Sequence, residues 1–60
     1  MYATAKQTSY ILALGSQVAG RSLRYIPEVE PYVSLSKTAL RNLSKDDASR
    51  VIDELKRKAA

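Results

Sequence analysis

The side chains able to do chemistry in this chain are few in kind. Its 60 residues include no Cys and no His, so no thiolate nucleophile, Cys/His zinc site or imidazole base can be assembled. Six carboxylates remain: Glu28 and Glu30 flank Val29, and Asp46, Asp47, Asp53 and Glu54 crowd the last segment. Paired carboxylates do acid–base work inside a pocket that shields them from water. With 14 Val, Ile and Leu side chains and neither Phe nor Trp, the chain has too little apolar bulk to enclose one. The expectation is a protein that is not an enzyme and takes no cofactor, metal or small-molecule substrate.

The ten Lys and Arg residues leave a formal charge of +4, a bias toward anionic partners. Arg21, Arg24, Lys56, Arg57 and Lys58 are the candidate nucleic-acid contacts, and gathered on one face they would form a footprint for phosphates. The competing explanation of Lys56, Arg57 and Lys58 is a helix end whose dipole favours cations. Acids interleaved with those bases also make the segment a poor recognition helix. Lys6 and Gln7 invite a phosphate or base contact, but capping accounts for Gln7 without a ligand. Tyr10, Tyr25 and Tyr32 could stack on bases; lacking Phe and Trp, the chain is expected to use them as core bulk, hydroxyls outward.

These side chains have to be positioned by helices. Residues 5–19 read as the first: Thr4 can cap it, Gln7 three places on completes a capping box, and Gly20 suits a left-handed end. Ile11, Leu14 and Val18 recur at helical spacing. Ala5, Leu12, Ser16 and Ala19 form a second stripe of mostly small residues, the candidate interface for another helix, within the fold or from a second chain. Gly15 weakens a helix by about 1 kcal/mol relative to Ala, so it marks a close contact. Pro27 and Pro31 push Ile26 and Glu30 off helical geometry. Pro31 can itself begin a second helix, placed near 31–42 on the spacing of Leu35, Ala39, Leu40 and Leu43. The third helix, 45–58, has Ser44 as cap, Asp46 and Asp47 in its first turn and cations in its last. Ala48, Val51, Ile52 and Leu55 form its stripe, and Asp46–Arg50, Asp53–Arg57 and Glu54–Lys58 are candidate i,i+4 pairs.

The fold class implied is all-α: a small two- to three-helix domain, residues 1–60, with a proline-containing connection. Sixty residues lie near the lower limit for independent folding, and neither disulfide nor metal is open to this chain. A homodimer or a protein partner is therefore expected to complete the core. No stretch resembles a targeting signal, and "YILAL" is far too short to span a membrane, so a cytoplasmic protein without membrane contact is expected.

Two stretches together resemble a known small helical module. "TAKQTSYILAL" (4–14) carries T-x-K-Q-x-x-Y-I-x-x-L through Thr4, Lys6, Gln7, Tyr10, Ile11 and Leu14. "LSKDDASRVIDELK" (43–56) carries L-[ST]-K-x-x-A-S-x-x-I-x-x-L through Leu43, Ser44, Lys45, Ala48, Ser49, Ile52 and Leu55. The pattern is that of actinobacterial and phage proteins, free-standing or appended to phage recombination and nuclease proteins; "YIPEVEPYVS" departs from its compact forms. The resemblance implies no enzymatic activity and implies company with DNA-processing domains. The resulting expectation is a non-enzymatic helical interaction module, a phage or bacterial accessory protein linked to DNA metabolism through protein contacts. The alternatives are direct nucleic-acid binding through the basic face, and a small phage inhibitor of one host protein.

Overall fold

The computed structural model describes residues 1–59. They form an all-α fold whose elements run α1 (Ala5–Ala19), a 3₁₀ segment (Ile26–Tyr32), α2 (Lys37–Arg41) and α3 (Lys45–Ala59). No helix among the described residues is long and apolar enough to cross a membrane.

α1 begins in a reciprocal capping box. The Thr4 hydroxyl accepts the Gln7 N–H at 3.1 Å, and the Gln7 side-chain oxygen accepts the Thr4 N–H at 3.0 Å, which satisfies two otherwise orphaned donors. It ends where Gly20 adopts φ 73° and donates to the Ser16 carbonyl, a conformation that only glycine enters at little cost.

The middle of the chain differs from the helix expected over residues 31–42. Pro31 lies inside the 3₁₀ segment rather than at a helix start, and α2 is a short helix beginning at Lys37. Each proline removes a backbone donor and disfavours α geometry in the residue before it, so the chain coils only in the tighter, shorter form. The helix resumes where Ser36 can cap it, its hydroxyl accepting the Ala39 N–H at 3.2 Å.

α3 starts beside the start of α1. Tyr2 and Ser44 form an isolated antiparallel bridge, in which Ala3 N–H donates to Leu43 C=O at 3.0 Å and Lys45 N–H to Met1 C=O at 2.9 Å. The Gln7 amide adds a clip, its Nε2 donating to the Lys45 carbonyl at 3.2 Å. Ser44 caps α3 by accepting the Asp47 N–H at 3.1 Å. The Asp47 side chain makes no return bond to Ser44 N–H among the described residues. α1 packs chiefly against α3, and the 3₁₀ segment bridges α1 and α2.

The core is Ile11, Leu14, Leu23, Val29, Leu40, Leu43, Ala48, Val51 and Leu55, with no buried polar residue among those described. Ile52 and Val18 are half-buried at its rim. Gly15 is the point where the 3₁₀ segment seats on α1: a Cβ there would lie 2.6 Å from Val29 Cγ1 and 3.0 Å from Leu23 Cδ1.

Candidate interaction groove

The pair of prolines that shortens the middle helix also shapes the surface. Glu28, one turn into the 3₁₀ segment, folds its carboxylate back over the segment's start. It accepts the Arg24 N–H at 2.7 Å, the Tyr25 N–H at 2.9 Å and Arg21 Nη1 at 3.4 Å. These backbone donors, that of Tyr25 first, and then the Arg21 guanidinium hold the Glu28 carboxyl below the usual glutamate value. With the backbone so fixed, Leu23 and Val29 point inward while the Tyr25 ring is left 70% exposed.

Tyr2, 77% exposed, is placed by the strap that pairs with Leu43–Lys45. Both tyrosines line an open cleft of about 470 Å³ together with Ala3, Ile26, Pro27, Leu40 and Leu43, and with Thr8 and Arg41. A second cleft of about 450 Å³ shares Tyr25, Pro27 and Arg41 with the first and continues past Lys37 and Glu28. Sharing these three residues, the two clefts adjoin as a groove. Lys37 and Arg41, four residues apart on α2, lie on the same helical face and stand along it. The sole ion pair among the described residues is Arg21–Glu28, so neither Lys37 nor Arg41 has a carboxylate partner.

The residues singled out from the sequence lie elsewhere. Arg21 is spent on Glu28, and the Arg24 side chain is exposed beside it. Lys56 Nζ sits 5.3 Å from the centre of the Tyr10 ring, within cation–π range. Arg57 and Lys58 line a third, smaller cleft with Tyr32, Val33, Ser34 and Glu54. Three successive helical residues point about 100° apart, and none of the three clefts joins Arg21 or Arg24 to the α3 cations.

Within the stripe Ala5, Leu12, Ser16 and Ala19, the Ser16 hydroxyl is committed internally. It donates to Leu12 C=O at 2.7 Å and accepts the Leu23 N–H at 2.9 Å. Leu12 and Ala19 pack on the rim of the core, and Ala5 is the one exposed member of the stripe.

Two further expectations are corrected. Tyr25 and Tyr10, read as core bulk, are 70% and 43% exposed, because Leu23, Val29 and Leu40 already fill the interior; Tyr32 packs against the core as expected. The i,i+4 ion pairs of α3 are not closed. Glu54 instead accepts the Ser34 hydroxyl at 2.7 Å and the Ser34 N–H at 3.0 Å, and these bonds lower its pKa, the hydroxyl foremost. Gln7 is the cap that its spacing implied, and Lys6 is exposed.

Tyr2, Lys37 and Arg41 escaped the sequence reading. The i,i+4 spacing of Lys37 and Arg41 is visible in the sequence, but only the turn at Pro27–Pro31 brings that pair to Tyr25. Among the described residues no cluster of three or more acidic side chains is arranged to hold a metal ion. In comparisons with known proteins, the chain matches no family model, no curated protein and no solved structure.

Proposed function

We propose that this chain is a non-enzymatic interaction module that works by docking another protein, as an accessory to DNA metabolism in a phage or bacterial setting. The observation that carries the docking is the groove: two tyrosines exposed over most of their surface line one cleft with aliphatic side chains. Tyrosine and arginine are the side chains that concentrate binding energy at protein interfaces, and here they border one depression. The link to DNA metabolism comes from the resemblance of residues 4–14 and 43–56 to small helical modules that accompany phage recombination and nuclease domains.

Protein contact is favoured over direct nucleic-acid contact by the dispersal of the cations. A strand binder tracks several successive phosphates along one basic path, whereas Arg21, Lys56 and the Arg57–Lys58 pair each face different neighbours. Nine apolar residues are buried within one subunit.

The experiment is affinity capture from nuclease-treated bacterial lysate with the whole chain, paired with mobility shifts on single- and double-stranded DNA at low salt. The expected result is one DNA-processing protein retained by the native chain and lost with Tyr25→Ala, together with no shift of either DNA. Retention of DNA that falls steeply with salt, and of no protein once DNA is digested, overturns the reading.

A further inference from the structure

We infer that the groove takes an acidic segment of another polypeptide. The segment seats an aliphatic or aromatic side chain in the cleft that Tyr2 and Tyr25 line and sets its carboxylates against Lys37 and Arg41. The inference rests on the protein-docking reading and adds the chemistry of the partner.

Charge complementarity fixes the occupant. Three charged residues border the groove: Glu28, Lys37 and Arg41. Glu28 lines the groove, but its oxygens are engaged by Arg21 and by the N–H groups of Arg24 and Tyr25. Lys37 and Arg41 have no such partner. The groove therefore presents two uncompensated positive charges beside aliphatic side chains. A segment that buries an apolar side chain while leaving its carboxylates at the wetter rim matches both features, with the charges guiding encounter and register. The planar fork of Arg41 suits a carboxylate held by two parallel hydrogen bonds.

Two other occupants fit less well. A nucleic-acid strand needs a longer run of cations than this pair. A second copy of the chain would have to offer acids next to apolar side chains. The α3 acids Asp46 and Asp53 are exposed on its outer side, and Asp47, partly buried, stands beside Ala48 and Val51, which are already covered within the fold.

The test is selection of a random-peptide display library on the intact chain, followed by binding titrations of the enriched peptides made synthetically. The expected result is enrichment of an aromatic or aliphatic residue flanked by Asp or Glu. Affinity should weaken with salt, fall about tenfold or more with Arg41→Glu, and fall less with Arg41→Lys, which keeps the charge and loses the fork. Enriched peptides that lack acids, bind Arg41→Glu unchanged and still need Tyr25 overturn the acidic partner and leave the protein-docking reading standing. Peptides indifferent to both Tyr25→Ala and Arg41→Glu remove the groove from both readings. Oligothymidylate that binds the groove more tightly than any selected peptide, or a dimer dissolved by Arg41→Glu in sedimentation, likewise overturns the proposal. Lys37, Arg41 and Tyr25 are exposed, so the variants are expected to keep the native circular-dichroism melt that validates each titration.

Discussion

Gly15→Ala tests the seating of the 3₁₀ segment on α1, on which the placement of Tyr25 depends. Taken alone, helix propensity favours the change by about 1 kcal/mol. Against it, the new methyl would stand 2.6 Å from Val29 Cγ1 and 3.0 Å from Leu23 Cδ1, well inside contact distance. Val29 has no exposed surface and Leu23 only 6%. A β-branched side chain such as Val29 is stiff at χ1, so the strain passes to the backbone. Overpacking of this kind costs about 1–3 kcal/mol. The net expectation is a loss of about 1 kcal/mol, which for a domain of this size lowers Tm by about 4–8 °C. Thermal and urea melts followed by circular dichroism measure it. Adding Val29→Ala removes the obstructing atoms, so the double variant should be less destabilised than the two single losses combined, the coupling expected between touching residues. A Gly15→Ala chain that melts higher than the native one, by about the propensity gain, would mean that Val29 does not rest on Gly15.

Other outcomes follow from the same geometry. Leu55→Ala, at a fully buried side chain, should cost about 2–5 kcal/mol and erase the cooperative melt. Ile52→Ala, half-buried at the rim, should leave that melt in place; equal losses at the two sites would contradict the assignment of α3's inner face. Glu28 and Glu54 titrate below the ordinary glutamate value, so folded chains bind fewer protons than unfolded ones on the acid side. Their contribution is complete above about pH 4.3 and is lost as pH falls through the depressed values. Acid titration of stability should accordingly be shallower in Glu54→Gln than in the native chain. Gln7→Ala removes both the return bond of the capping box and the clip to Lys45. Its cost should exceed that of Lys6→Ala on the same turn, as paired chemical melts would show.

What could be read from the sequence was local chemistry. Thr4, Gln7 and Gly20 bounded α1, and Ser44 with the acid-first, base-last order of α3 bounded its start, because caps and dipoles act within a turn. The register of Ile11 and Leu14 and of Val51 and Leu55 identified two buried faces for the same reason. The middle of the chain was misread at Pro31, where two rules compete: proline suits a helix start, yet a second proline four residues earlier keeps the chain in a tighter coil. The groove was illegible because it is a tertiary product. Tyr2, Tyr25 and Arg41 are far apart in sequence, and nothing in their spacing says that they meet. Tyrosine exposure was misjudged from composition, which ignores how much interior the smaller aliphatic residues had already filled.

The strap joining Met1–Ala3 to Leu43–Lys45, with α1 laid along α3, has a kinetic consequence. Most small helical proteins gain speed by zipping neighbours together first, since short loops close quickly. Here the principal partners are the first and last helices, and the intervening chain has to be gathered before either is stabilised. Refolding after a denaturant jump is therefore expected to be slow for an all-α chain of this length, and separate halves of the polypeptide should stay unfolded until they are mixed.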